Sequence, residues 1–164
     1  MTVSVREATI DDIEGILDVA TDAWYATYGG LLEPSTVSSA LDEYYDQELL
    51  KAGVDHDEIA FFVASDEGEI IGFASAEQTW ADEVELHTIY VHPDRWSEGI
   101  GSALFDRVLT WAQALDIDRI ACGVLAENAI GIGFFEAVGF VRGIEANAEI
   151  AGEIHSEYEY ELSV

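Results

Sequence analysis

The sequence predicts one domain, residues 1–164, of the mixed α/β class. Several short segments alternate apolar and polar residues with the period of two that a half-buried strand requires. Other segments repeat apolar residues at the spacing of an amphipathic helix. The chain has 164 residues, of which 49% are hydrophobic, and this is enough to enclose one sizeable core.

The N-terminal part of the chain is predicted to begin with a strand and to continue with two helices. Residues 2–8 alternate as a first strand. A helix follows, with Thr9 as a candidate N-terminal cap and Gly29-Gly30 at its end. Residues 35–51 have a second helical pattern.

The rest of the chain is assigned on the same grounds. Asp66-Glu67-Gly68 lies between two alternating runs and predicts a hairpin turn. The predicted strands are 59–64, 69–76, 83–92, 119–125, 139–145 and 157–162, and the predicted helices are 100–115 and 129–138. The resulting order is β-α-α-β-β-β-α-β-α-β-β.

The segment at 89–107 is predicted to bind an anion. It passes from an apolar strand through His92-Pro93 and a polar loop into an amphipathic helix, with Gly99 and Gly101 near the helix start. Glycine allows close approach of the backbone to a ligand, and the N–H groups and dipole at a helix N-terminus attract phosphate. The sequence therefore predicts a phosphate cradle that needs no lysine.

This segment resembles motif A of the GNAT superfamily of N-acetyltransferases, V-x-P-x-x-[RQ]-G-x-G-[IVL]-G. The matching positions are Val91, Pro93, Gly99, Ile100 and Gly101. Trp96 stands where Arg or Gln is usual, and Ser97 where Gly is usual. The P-loop and dinucleotide patterns do not fit, because Gly101 is followed by Ser102-Ala103 and no third glycine stands at Leu104.

A second segment resembles motif B of the same superfamily, N-x-x-A-x-x-[FL]-Y-E-x-x-G-F. The matching positions are Asn128, Phe134, Glu136, Gly139 and Phe140. The tyrosine usual in this motif is replaced by Phe135. The order and spacing of the two motifs are more specific than either motif alone, so the chain is identified as a member of the GNAT superfamily.

The resemblance implies a GNAT fold, a mixed and mostly antiparallel sheet flanked by helices, whose splayed central strands admit the pantetheine arm of acetyl-CoA. Acetyl-CoA is the implied cosubstrate, and no metal is expected, since the four histidines have no ligand spacing. The implied cofactor-binding residues are Ile89, Tyr90, Val91, Trp96, Ser97, Glu98, Gly99, Ile100, Gly101, Ser102, Asn128 and Phe135. Asn128 is also a plausible N-terminal cap of its helix.

Transfer of an acetyl group from a thioester to an amine requires a deprotonated amine, a polarised carbonyl and a protonated leaving thiolate. The resemblance implies a carboxylate base on the strand before motif A, which makes Glu85 the first candidate and Glu83 the second. His87 shares the strand and is an alternative base. In so acidic a chain, a solvated surface charge is the other interpretation of any carboxylate.

The acid that protonates the thiolate is left open. Phe135 has no hydroxyl to donate, so the role of the motif B tyrosine cannot be carried over. Tyr90, Tyr25, Tyr28 and water are the alternatives.

The acceptor is predicted to be a small-molecule primary amine or a protein N-terminus. In the family the N-terminal helices line the acceptor site, and here they carry Trp24, Tyr25 and Tyr28, with Glu33 just beyond. Aromatic residues at helical spacing also fit a buried core. If they line a site, Glu33 favours a cation such as a polyamine, an aminoglycoside or an amino acid.

The charge balance excludes one class of partner. With 34 acidic against 6 basic residues, the formal charge is -28, and nucleic acid is not expected as a partner. Near-absence of lysine indicates adaptation to molar salt, where the Debye length is about 3 Å. The chain has no apolar run long enough for a membrane span and no signal-peptide pattern, so a cytoplasmic location is predicted. A tyrosine-rich C-terminal strand at a sheet edge is compatible with a homodimer.

Two functions of different classes fit these observations. The first is an N-acetyltransferase that moves the acetyl group directly to a primary amine in a ternary complex. The second is a non-catalytic acyl-CoA binding or sensor module, suggested by Phe135 and by the altered cradle at Trp96 and Ser97. The lone Cys122, in an apolar strand, is expected to be a core residue rather than a nucleophile.

Overall fold

The structure, a computed structural model, describes residues 3–164; Thr2, predicted to open the first strand, lies outside the described residues. The strands are β1 (Val3–Glu7), β2 (Ile59–Asp66), β3 (Glu69–Trp80), β4 (Glu83–Val91), β5 (Arg119–Leu125), β6 (Val141–Ile150) and β7 (Glu153–Ser163). The α-helices are α1 (Ile13–Tyr28), α2 (Pro34–Tyr44), α3 (Gln47–Asp55), α4 (Ile100–Gln113) and α5 (Ala129–Ala137). Among residues 3–164, no helix is both long and apolar enough to cross a bilayer.

The strands form one sheet in the order β1-β2-β3-β4-β5-β7-β6. All neighbours are antiparallel except β4 and β5, which are parallel. The predicted fold class, a mixed and mostly antiparallel sheet flanked by helices, is therefore confirmed. The β4–β5 pairing joins only residues 83–85 to residues 119–121. Beyond that point the two central strands part, as the splayed arrangement requires.

Two apolar cores lie on opposite faces of the sheet. On the first, called the α4 face, α4 and α5 pack around Leu104 and Phe135. On the second, called the α1 face, helices α1 to α3 pack around Ile16, Val37 and Leu50. Because the sheet is covered on both faces near its centre, the gap between β4 and β5 has apolar walls.

A β-bulge in β4 decides which side chains reach each face. The register against β3 shifts at His87. Leu86 before the bulge and Ile89 after it both contribute to the core of the α4 face. Alternation then places Glu85 and Tyr90 together on the α1 face, whereas a regular strand would place residues 85 and 90 on opposite faces.

The prediction of one helix over residues 35–51 is wrong, because α2 ends at Tyr44 and α3 begins at Gln47. The Asp46 side chain accepts hydrogen bonds from the backbone N–H groups of Glu48 and Leu49. Asp46 is thus the N-terminal cap of a new helix, and its extended backbone interrupts the helical path.

The C-terminal hairpin is longer than predicted, since β6 extends to Ile150 and β7 begins at Glu153. Ala151 and Gly152 form the turn, with φ of 48° and 90°. Positive φ at both central residues is the geometry of a tight hairpin turn. The prediction that the tyrosine-rich C-terminal strand lies at a sheet edge is wrong, because β7 lies between β5 and β6 and the edge strand is β6.

Candidate functional site

The gap between β4 and β5 opens into a cavity of about 520 Å³. Its walls are residues 86–91 of β4, residues 122–124 of β5, the loop before α4 and the start of α5. Every residue predicted to bind acetyl-CoA borders this cavity except Glu98. The Glu98 carboxylate instead pairs with Arg95, with 3.0 Å between Nε and Oε1.

The loop before α4 has the backbone of an anion cradle. Ser97 and Gly99 have φ of 67° and 82°, and α4 begins at Ile100 without a side-chain cap. The first N–H groups of the helix are therefore open to a ligand. A Cβ built on Gly99 would have no neighbouring atom within 4 Å, so there is room beside the backbone. The arrangement can hold a phosphate.

Two side chains tie this loop to the sheet. The Trp96 indole donates a hydrogen bond of 2.8 Å to the Val91 carbonyl. The Arg95 guanidinium lies 3.0 Å from the Asp66 carboxylate and borders the cavity. Arg95 was not predicted to be a site residue, although it directly precedes the position where motif A usually has its own cation. In this chain, Arg95 is paired with the Asp66 and Glu98 carboxylates, so the positive end of the cradle is formed by backbone N–H groups.

Asn128 and Phe135 contribute from α5. The Asn128 side-chain oxygen accepts a hydrogen bond of 2.9 Å from the Gly131 N–H, so Asn128 is an N-terminal cap as well as a cavity residue. Phe135 is 8% exposed and packs edge-on against Phe134 and Phe140. This end of the cavity is therefore an apolar wall.

A group of hydroxyls lies on the α1 side of the cavity. The Tyr28 and Tyr90 hydroxyls are 2.9 Å apart, and the Tyr45 hydroxyl lies 3.2 Å from the Thr88 hydroxyl. Burial raises the pKa of Tyr45 to about 12 and raises those of Tyr28 and Tyr90 as well. All three phenols are therefore protonated at neutral pH.

A second, smaller cavity of about 280 Å³ lies between β4, β5, β7 and β6, and it is lined by carboxylates. Its acidic residues are Glu83, Glu85, Glu157 and Glu159. Cys122 and Gly123 border both cavities, so the acidic cavity adjoins the larger one at β5.

The four carboxylates differ in their surroundings. Glu83 is paired with Arg119, with 3.1 Å between Oε1 and Nε. Glu85 has an exposed side chain. Burial raises the pKa of Glu157, and the charge of Glu85 raises it further. Glu157, which the sequence analysis assigned only to a strand, is thus electrostatically coupled to the first candidate base.

The other predicted catalytic and acceptor residues lie in different places. His87 borders the larger cavity, but its Nε2 is 3.1 Å from the Glu77 carboxylate. Tyr28 borders the same cavity. Trp24 is 6% exposed in the core, where its indole donates to the Tyr45 hydroxyl. Tyr25 and Glu33 are exposed, and the structure brings neither of them nor Trp24 to either cavity.

Two other groups near the cavities could react with a ligand: the Cys122 thiol and a cluster of three carboxylates. Burial raises the pKa of Cys122 to about 12, so its thiol is protonated at neutral pH and is a poor nucleophile. Among the described residues, Glu83, Glu159 and Glu161 have carboxylates close enough to share a cation. The Arg119 Nε lies 3.1 Å from Glu83 and 3.5 Å from Glu161, so a guanidinium already bridges two of the three carboxylates.

Parted central strands over a glycine cradle at a helix N-terminus are the arrangement that the GNAT resemblance implied for an acyltransferase. The sequence profile of the acetyltransferase (GNAT) family matches residues 18–140, and the chain belongs to this family. The resemblance seen in the two motifs is thereby confirmed.

Individual relatives are distant in sequence. An uncharacterised N-acetyltransferase of Methanocaldococcus jannaschii is 27% identical over 85% of this chain, and the match spans 61% of that relative. A spermidine N(1)-acetyltransferase of Thermoplasma acidophilum is 26% identical over 85% of this chain and 89% of its own. The crystal structure of the PaiA N-acetyltransferase from Thermoplasma acidophilum, in complex with coenzyme A, superposes with a TM-score of 0.88 at 22% identity, covering 100% of both chains. This last likeness establishes the shared fold.

Proposed function

We propose that the protein transfers the acetyl group of acetyl-CoA directly to a primary amine of a cationic small molecule, within a ternary complex. The observation that carries the proposal is the junction of the two cavities at Cys122 and Gly123. One cavity suits an anionic thioester and the other a cationic amine, and they meet at one short stretch of β5. In this proposal the two substrates meet at that stretch and react without a covalent enzyme intermediate.

Acetyl-CoA fits the chemistry of the larger cavity. The uncapped N-terminus of α4 can hold its phosphates through backbone N–H groups. Past residue 85, the edge of β4 that faces β5 has no strand partner, which leaves the backbone groups of Ile89 and the N–H of Val91 for the amides of pantetheine, whereas the Val91 carbonyl already accepts from Trp96. The apolar wall at Phe135 suits the methyl group of the acetyl.

Glu85 is the proposed base. The acceptor arrives as an ammonium ion and gives one proton to the Glu85 carboxylate, which lines the acidic cavity. The amine nitrogen then attacks the thioester carbon, so that a C–N bond forms and the C–S bond breaks. Glu83 is less suited to this role because its carboxylate is paired with Arg119. His87 is less suited because its Nε2 is hydrogen-bonded to the Glu77 carboxylate.

The charge of the acidic cavity favours an acceptor with more than one positive charge. Glu85 and Glu157 can each meet an ammonium group, and a bound cation would relieve the repulsion between them. The likeness to a spermidine acetyltransferase supports a polyamine acceptor. Aminoglycosides, amino acids and protein N-termini are the alternatives to be compared with it.

Phe135 favours a second candidate function, a non-catalytic acyl-CoA binding module. A tyrosine is usual at this position of motif B, and its absence removes one proton donor from the cavity. This candidate predicts tight acetyl-CoA binding without turnover on any amine.

The experiment that separates the two candidates measures coenzyme A thiol release in molar KCl. Acceptors of increasing positive charge would be compared at one concentration: a neutral-side-chain amino acid, an N-terminal peptide, putrescine and spermidine. We expect rates to rise with acceptor charge. Acetyl-CoA binding without thiol release on any of these acceptors would favour the binding module.

A further inference from the structure

The motif B helix lacks the hydroxyl that would protonate the leaving thiolate. Phe135 borders the larger cavity with an unreactive ring. A proton donor supplied by another element would restore the chemistry, and it must have a hydroxyl at the same cavity.

Tyr28, at the last turn of α1, meets this requirement. It is 8% exposed, and it borders the larger cavity together with Phe135. Its hydroxyl lies 2.9 Å from that of Tyr90, which also borders the cavity. An α1 residue therefore presents a hydroxyl from the side of the cavity opposite α5.

The hydrogen bonds around Tyr28 determine which proton is available. Burial raises the pKa of Tyr28, whereas its bonds with the Tyr90 hydroxyl and the Asn128 side chain lower it. The Asn128 side-chain oxygen accepts from the Gly131 N–H, so the amide nitrogen of Asn128 is the group that donates to Tyr28. Either hydroxyl can donate in the Tyr28–Tyr90 pair, and in the arrangement where Tyr90 donates, the Tyr28 oxygen accepts two bonds and its own O–H proton is free for a third partner.

We infer that Tyr28 is the general acid of the acetyl transfer and that Tyr90 and Asn128 position its hydroxyl. The inference rests on the proposed function, since it concerns the same reaction.

The protons balance as follows. When the C–S bond breaks, sulfur keeps the electron pair and takes the Tyr28 hydroxyl proton to become the thiol of coenzyme A. The nitrogen, bonded to the acetyl carbon, loses its second proton, and this proton returns to the Tyr28 oxygen through Tyr90 or water. The ammonium thus loses two protons, of which one ends on sulfur and one leaves with the solvent.

The test compares three substitutions. Tyr28→Phe removes the donor and keeps the ring. Tyr158→Phe is the matched control, because Tyr158 lies on the other face of the sheet and its ring contact with Arg142 survives the change. Phe135→Tyr in the Tyr28→Phe background returns a hydroxyl to the same cavity from α5.

We expect Tyr28→Phe to lower kcat at least tenfold, within the range of general acid catalysis, with the KM for acetyl-CoA within twofold of wild type. Tyr158→Phe should keep the wild-type kcat, and Phe135→Tyr should restore a large part of the loss, which a purely structural role for Tyr28 would not allow. If the wild type is active and the kcat of Tyr28→Phe is within twofold of it, the inference about Tyr28 is overturned and the proposed function stands. A wild-type protein that acetylates none of the amines would overturn the proposed function, and this inference with it.

Discussion

The Glu157 carboxylate lies directly over Gly123, on the neighbouring strand. A Cβ at residue 123 would stand 2.6 Å from the Glu157 Oε1, closer than two such atoms can approach. Because residue 123 is a glycine, the Glu157 carboxylate of β7 can pack against the backbone of β5 where the two cavities adjoin. The same contact leads to the first prediction.

Gly123→Ala should displace the Glu157 carboxylate while leaving the fold intact, because the clashing atoms are the end of a flexible side chain. We expect kcat/KM for spermidine to fall about tenfold, as for loss of one ion-pair contact of about 1.4 kcal/mol. The free energy of unfolding should change by less than about 1 kcal/mol. Steady-state kinetics and urea unfolding together check both parts, and unchanged kinetics would show that Glu157 does not contact the acceptor.

Glu85→Gln should remove the base and keep the shape of the acidic cavity. We expect kcat to fall by about 100-fold, the lower end of the usual contribution of a general base, with the acetyl-CoA Kd unchanged. Glu69→Gln, at an exposed position on β3 outside both cavities, is the control. Equal rates for the two variants would remove Glu85 from the mechanism.

Ser97→Gly should stabilise the protein. Ser97 has φ of 67°, a conformation that costs a residue with a Cβ about 1 kcal/mol relative to glycine. We expect the urea midpoint to rise and acetyl-CoA binding to be no weaker. Ala103→Gly, one turn into α4 and outside the cavity lining, should instead lower the urea midpoint because glycine weakens a helix. A lowered midpoint for Ser97→Gly would contradict this account of the cradle.

Glu157→Gln should change the pH dependence of stability. Burial and Glu85 raise the pKa of Glu157 in the folded protein, so the folded state binds this proton more tightly than the unfolded chain does. Its contribution to stability is present below the unfolded pKa of about 4.3 and is lost as pH rises through the raised value. We therefore expect the Tm of the variant to be higher than that of the wild type at neutral pH. The difference in Tm should vanish below about pH 4. A difference independent of pH would be evidence against the coupling.

Salt should stabilise the fold. The formal charge of -28 makes the folded state repel itself in dilute buffer, and molar salt shortens the Debye length to about 3 Å. We expect the Tm to rise steadily from low salt to molar KCl. A Tm that does not depend on KCl would refute the predicted adaptation to salt.

The sequence predicted the fold and the cradle because both depend on local signals. Alternation along each strand, and glycines at a helix start such as Gly99, are visible without tertiary structure. The break at Asp46 was missed because a capping aspartate interrupts the chain without changing its apolar spacing. Its extended backbone is the physical reason that one predicted helix became two.

The acceptor side was less predictable, because it depends on which face of the sheet a residue reaches. The bulge at His87 reverses which face of the sheet the later side chains of β4 reach, and no sequence pattern indicated this bulge. Glu157 comes to Glu85 only through the pairing of β7 with β5 and of β5 with β4. Trp24, predicted to bind substrate, is instead a core residue with a satisfied indole.

The most direct test of the account is an initial-rate study with acetyl-CoA and spermidine both varied, in molar KCl. Direct transfer between joined cavities predicts double-reciprocal lines that intersect, because both substrates must be bound before reaction. Parallel lines would indicate an acetylated enzyme, for which Cys122 at the junction would be the group to examine. That result, or the absence of any turnover, would contradict the central claim.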